Sequence, residues 1–261
     1  MKHSTKSDTN KMTIGRDQTN RHLAAPITIN ATIADAQIDA VLSRYGLALE
    51  RDARYHSYFF DTTALSLLNV GVIARARRIS GDDHDSTIKF QPMALVPAEV
   101  PARWREYDGY QLEADASEAG VNKAASLSMP VPKGLIKDVV SGEKGIAKLF
   151  SREHQAFLSA VGGQPIDYGS LCVLGPVDGQ RWTLADPACP WHMTAELWQR
   201  ADRARLMELA IKVPLAQAEA AIAGFRAFIH MVGAERNMKH HTKMRWALGH
   251  DLTAVHRQAA A

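Results

Sequence analysis

Arg75 and Arg77 stand two apart in the stretch Val72 to Ile79, where apolar residues alternate with arginine. On an extended strand that spacing puts both guanidinium groups on one face and Arg78 on the other. Lys89 follows in a second alternating stretch, Thr87-Ile88-Lys89-Phe90, beyond the turn-forming run Gly81, Asp82, Asp83. If the two stretches pair, three cations converge. Guanidinium groups match phosphate oxygens bidentately and an ammonium adds a point charge. The chemistry suggested is recognition of a phosphate-rich anion. The competing reading is a solvated outer face whose ion pairs contribute little, and spacing alone does not separate the two.

Acidic residues recur on the same pattern. Glu113 and Asp115 are two apart and could bind a divalent metal or neutralise a nearby arginine, although spacing alone favours a plain outer strand face. Glu196 and Glu208 fall on the two arms of a later hairpin, and Glu208 shares a face with Lys212. Arg181 and Lys243 add a cation to two further segments. Each is weak alone. Together they put cations and carboxylates on most of the strands.

The elements that must position these groups alternate strands with a few helices. Ile27 and Ile29 alternate with Thr28 and Asn30 as a half-buried strand. Ala34 to Tyr45 has Ile38, Val41 and Leu42 at helical spacing, with Gly46 as a stop. Tyr55 to Asp61 is strand-like, Thr63 to Leu68 is a short helical turn, and Val72–Ile79, Ser86–Phe90 and Tyr110–Ala114 are strands. Ser117 to Gly145 reads as loops with short helices, and Lys148 to Val161 as a helix. Leu171–Leu174 and Gln180–Leu184 read as arms of a hairpin about Gly175-Pro176-Val177-Asp178-Gly179. Trp191–Trp198 and Leu206–Val213 form a second hairpin, with both tryptophans expected on the wall. Ala216 to Val232 is a helix and His241 to Leu248 a last strand. In the His240-His241 pair the two rings would face opposite ways and make no chelate.

A strand with arginine at every second inward position needs water or a ligand on that face, because an unpaired buried charge is costly. A wide barrel with a polar lumen meets this need. The expectation is an α+β fold: an eight-stranded antiparallel β-barrel with helices packed outside. The domain spans residues 26–249, between polar tails at 1–25 and 250–261 that hold too little apolar surface to order themselves.

Composition sets the outer bounds. The chain has 261 residues, 46% hydrophobic and 23% charged, with a formal net charge of +3. A nucleic-acid binder carries a denser basic stripe, so any anion site must come from local placement of charge. Cys172 and Cys189 make no disulfide framework and no zinc spacing, which points to a cytoplasmic setting. No apolar run approaches the roughly 18 residues needed to span a bilayer. No glycine-rich phosphate loop, Ser/His/Asp set or Cys/His metal motif is visible.

Several stretches resemble a known family, the CYTH domains, also called triphosphate tunnel metalloenzymes. They are Tyr58-Phe59-Phe60-Asp61-Thr62, Leu67-Leu68-Asn69-Val70-Gly71-Val72 leading into Arg75-Ala76-Arg77-Arg78, and Thr87-Ile88-Lys89. Leu171 to Gly175 with Arg181, Ala195-Glu196-Leu197, Met207-Glu208-Leu209 and Thr242-Lys243 continue the match. Order and spacing agree from about Pro26 to Leu248, most specifically from Phe60 to Lys89. Lys148 to Glu153, through to Trp198, looks like the branch labelled adenylate-cyclase-like.

The resemblance implies a tunnel that holds a triphosphate on Arg75, Arg77, Lys89, Arg181 and Lys243. It implies Mg²⁺ or Mn²⁺ on Glu113, Glu196 and Glu208, with Asp115 as an extra ligand and Glu106 competing for the place of Glu113. Catalytic positions fall on Lys89, Glu196 and Lys243. The implied activity is hydrolysis of inorganic triphosphate, thiamine triphosphate or a nucleoside triphosphate. The alternatives are a module that binds a phosphorylated ligand without turnover, an adenylate-cyclase-like activity, or a partner-binding protein that keeps only the fold. The expected partner is a small phosphorylated ligand, with neither membrane nor nucleic acid, and two chains could pair.

This chain departs from the family pattern in two places. The family's first strand carries Glu-x-Glu-x-Lys, where this chain has Pro26, Thr28 and Asn30. The later hairpin carries Glu-x-Glu, where Glu208 is followed by Ala210. The lumen charge moves positive, which favours holding a polyanion over concentrating metal. A cation that neutralises developing charge matters most to the chemical step, so catalysis suffers more than binding.

Overall fold

In the computed structural model, residues 27–47, 51–91, 101–117, 120–233 and 243–248 are described. The expected tails, Pro26, Thr242 and the His240-His241 pair lie outside them.

The first strand, β1 (Ile27–Ile33), sets the rule for the rest. Ile29, Ala31 and Ile33 are buried, and Thr28, Asn30 and Thr32 alternate with them on the opposite face. Helix α1 (Asp35–Arg44) follows, with an acid in its first turn and a base in its last, which suits the helix dipole. It buries Ile38 and Val41. Gly46, at φ +62°, takes the left-handed conformation that ends it.

Then come β2 (Ala53–Asp61), a single turn α2 (Ser66–Asn69), β3 (Val72–Ile79) and β4 (His84–Phe90). Asp61 holds α2 in place by accepting hydrogen bonds from the backbone N–H groups of Leu67 and Leu68, both at 2.9 Å. Next are α3 (Ala102–Arg105), β5 (Tyr110–Ser117), β6 (Gly120–Val131) and α4 (Leu135–Val140). Helix α5 (Arg152–Ala160) is capped by Ser151 in a reciprocal pairing with His154. The long strands β7 (Cys172–Asp186), β8 (Cys189–Gln199) and β9 (Arg205–Val213) lead to α6 (Ala218–Met231). A last helical segment, α7, covers residues 243–248.

The nine strands form one large sheet in the order β1-β5-β6-β4-β3-β2-β7-β8-β9, and β9 pairs back onto β1. Among the described residues eight pairings are antiparallel, and only β1 with β5 is parallel. The expectation of eight antiparallel strands is therefore corrected. The added strand is β6, in the stretch read as loops. It has β4 on one side and β5 on the other. Its alanines and serines carry little strand propensity of their own, so its neighbours rather than its residues hold it extended.

Two more expectations fall to tertiary packing. The run Gly175 to Gly179 is not a hairpin turn but the interior of the continuous strand β7, where the register against β2 shifts between Ser57 and Phe59. Gly179 lies under the Tyr55 ring, and a Cβ there would stand 2.0 Å from a ring carbon. The last segment is helix, not strand.

Three apolar clusters hold the ring. One face of β1, β7, β8 and β9 packs under α1 and α6, through residues such as Met193, Leu209, Ile38 and Phe225. The same side of β2, β3, β4 and β6 packs under α4 and α5, through Phe60, Ile88, Leu127, Ile136 and Phe157. The third cluster lies on the face turned away from those helices. Phe59, Ile73, Trp198 and Leu206 meet Trp246, Ala247 and Leu248 of α7 there. Trp198 therefore faces inward, whereas Trp191 packs on the outer wall against Gly224 of α6. Among the described residues no helix is long and apolar enough to cross a membrane.

Candidate functional site

Strand register lines up the polar residues of the inward face in rows. Thr32, Glu208, Glu196 and Arg181 are successive Cα partners across β1, β9, β8 and β7. Asn30, Ala210, Thr194 and Thr183 form the neighbouring row. On the other half of the ring, Phe59, Arg75, Thr87 and Ser128 align across β2, β3, β4 and β6. Ser57, Arg77 and Asp85 align beside them, as do Ile73, Lys89 and Ser126. Directly opposed side chains on one face are neighbours, and the register puts Arg75, Arg77 and Lys89 on one face in three successive rows.

The cations differ in what they hold. Arg77 forks onto Asp85, its Nε 3.1 Å from each carboxylate oxygen and its Nη2 close against Oδ2. The guanidinium also lies over the Tyr55 ring at 5.7 Å. Burial acts against its charge, but Asp85 outweighs it and the Arg77 pKa rises. Among the described residues Arg75 has no such carboxylate. Its Nη2 reaches Thr87 Oγ1 at 3.4 Å, and its Nε is buried with no hydrogen-bond partner. Burial, then the neighbouring charge of Arg77, pulls its pKa down to about 10. Lys89 is partly buried opposite Ile73 and Ser126. Arg181 is exposed, and its charge helps to keep Glu196 ionised.

Lys243, at the start of α7, reaches across to β8 and β9. Its Nζ forms ion pairs with Glu196 and, at 3.3 Å, with Glu208. The same ammonium stands 4.2 Å from the centre of the Trp198 ring, a cation–π contact. Trp198 Nε1 donates to Tyr55 Oη at 3.1 Å. Burial raises the Glu196 pKa, but Lys243, with Arg181 and Arg75, brings it down to about 2. Burial lowers the Lys243 pKa, and Glu196 and Glu208 more than reverse this. Burial, then the Glu196 charge, pushes the Tyr55 hydroxyl up to about 12.

The remaining sequence candidates divide: by register Glu113 and Asp115 share the alternation of the inward rows, with Asp115 also opposite Thr28 of β1, while Glu106 and Lys212 do not join the site. Glu113 and Asp115 sit on β5 as Cα partners of Ala124 and Asn122. Glu106 is exposed in the turn after α3, off any strand. Lys212 is exposed opposite Thr28. Asp85, Tyr55 and Trp198 enter the site unforeseen. Asp85 is recoverable, since it precedes Thr87 and Lys89 on the same alternation. Tyr55 and Trp198 give no signal beyond being aromatic.

Glu196 and Glu208, as they stand, do not offer a divalent ion an open pair of carboxylates. A dedicated cation site needs several anionic oxygens turned to one point. Glu196 and Glu208 are both committed to an ammonium, and Asn30 and Ala210 fill the next row. Among the described residues no three His, Cys, Asp or Glu side chains come together as a metal-holding group.

The fold is of the CYTH type, as solved structures bear out. A candidate adenylate cyclase from Bacillus halodurans superposes with a TM-score of 0.54 at 11% identity, over 85% of this chain and 96% of that one. A candidate adenylyl cyclase from Hippeastrum, described as having a dominant triphosphatase activity, superposes at 0.54 and 15% identity, over 84% and 93%. At such identities the likeness is one of fold. No family model matches the sequence, and no curated protein matches it.

Proposed function

We propose that the inward face of the ring is a tunnel-like site for a small, multiply phosphorylated anion of the triphosphate class. Arg75 carries the reading. It is a guanidinium turned to the inward face, held by a hydroxyl contact, with a buried Nε that no described residue satisfies. A buried donor left unpaired costs about 1–3 kcal/mol, and a phosphate oxygen would relieve it. Lys89, two strand positions from Thr87, and Arg181, on the far half of the ring, add charge along the same surface. The CYTH-type fold supports the same class of ligand.

Calorimetric titration with inorganic tripolyphosphate tests the proposal. Arg75→Ala and Lys89→Ala are expected each to weaken binding by about tenfold or more, the scale of removing one charge-assisted hydrogen bond. Unchanged affinity in both variants would remove the inward face from consideration.

Turnover is a second reading, favoured by the facing carboxylates Glu196 and Glu208 and by the triphosphatase activity ascribed to the Hippeastrum protein. It requires Lys243 to release them. Phosphate release from tripolyphosphate or ATP, or cyclic AMP from ATP, with Mg²⁺ or Mn²⁺ present, would establish it. The same assay with Glu196→Gln must then lose the product.

A further inference from the structure

We propose that Lys243 is the resident cation of the Glu196–Glu208 pair, so that this protein takes up its polyphosphate anion without a divalent metal. The inference rests on the ligand class proposed above and adds how the site is charged. Two carboxylates face one another across the β8–β9 ladder, on a face that solvent reaches only in part. Something positive must lie between them. The position is filled from within the chain: the Lys243 ammonium touches both, and the Trp198 ring closes its other side.

A divalent ion would have to displace that ammonium rather than join it, since adding two charges beside one is repulsive at this range. Lys243 opens α7, and Trp246, Ala247 and Leu248 of α7 are buried against Phe59, Ile73 and Leu206. The buried end of α7 therefore holds the Lys243 backbone beside the pair, and freeing the carboxylates means turning the ammonium away from both of them and from the Trp198 ring. The row beside the pair holds Asn30 and Ala210, and the acid Asp115 stands one row further on, opposite Thr28. Arg75 and Lys89 lie on the other half of the ring, so a phosphate chain can meet them while Lys243 stays in place.

Binding of Mn²⁺ to the full chain, followed by the electron paramagnetic resonance of free Mn²⁺, tests the proposal directly. Wild type is expected to sequester no ion at the pair. Lys243→Met is expected to gain a bound ion that Glu196→Gln abolishes in the same background. Wild type should bind tripolyphosphate in excess EDTA, and excess Mn²⁺, which ties up the anion's charge, should not strengthen that binding. A Mn²⁺ ion sequestered by wild type and absent from Glu196→Gln overturns the proposal, as does a tripolyphosphate affinity that arises only with Mn²⁺. If Lys243→Met does not fold, the wild-type titration with its Glu196→Gln control still decides. Absence of tripolyphosphate binding in every buffer would sink the ligand class, while the Mn²⁺ arms would still decide the place of Lys243.

Discussion

Glu196 and Glu208 are direct Cα partners across β8 and β9, two like charges on one face of a ladder, and Lys243 reaches both from a helix. Like charges so placed repel. The ammonium turns that repulsion into an attachment for α7.

Removing that ammonium leaves two partly buried carboxylates uncompensated. Lys243→Met is expected to lower unfolding stability by about 3 kcal/mol, the range for breaking a buried pair from one side. Adding Glu196→Gln to Lys243→Met should recover part of the loss. Urea unfolding of the three proteins measures both effects.

The Glu196 pKa, near 2 against an ordinary 4.5, fixes the sign of an acid response. A carboxylate depressed in the folded state stabilises above its unfolded pKa, and that stability is lost as pH falls through the folded one. Stability should therefore decline from about pH 4.5 toward 2. The decline should be shallower in Glu196→Gln than in wild type, as read by urea midpoints across that range.

Asp85 restrains Arg77. Asp85→Asn is expected to cost about 1.5–3 kcal/mol of stability, the scale of a hydrogen bond to a charged group. It should also tighten tripolyphosphate binding several-fold by freeing a guanidinium beside Arg75. Thermal unfolding and calorimetric titration separate the two effects.

The outer core should be separable from the site. Phe157 is fully buried and packs edge-on against Trp104, with ring centres 5.9 Å apart. Phe157→Ala should cost about 3–5 kcal/mol yet leave the tripolyphosphate affinity of the folded fraction unchanged. A parallel loss of affinity would mean that α5 reaches the inward face.

Much of the cationic wall is legible in the sequence, because Arg75, Arg77 and Lys89 lie on one hairpin and strand alternation is a local signal. Glu196 and Glu208 are legible for the same reason. What joins them is not. Lys243 is 47 residues from Glu196 and 35 from Glu208, and no local pattern encodes that ion pairing. Its segment is short enough to read as strand or helix, and burial of Trp246 and Leu248 goes with helix. β6 is hidden for a different reason. Between Val121 and Val131 it has no β-branched residue, so only its two neighbours identify it. Asp85 is obscured by the strength of the Gly81-Asp82-Asp83 turn signal just before it.

The placing of β1 between β5 and β9 has a temporal consequence. Ile27 is matched with Ala114 on one side and Val213 on the other. During synthesis β1 leaves the ribosome first among the nine strands, and its second partner leaves last. Distant pairings form slowly and leave strand edges open meanwhile. Alternating Ile and Thr make β1 a poor strand to leave waiting, since its apolar side invites other chains. Yield from translation should thus depend on how long β1 is shielded, more than on the final strength of the ring.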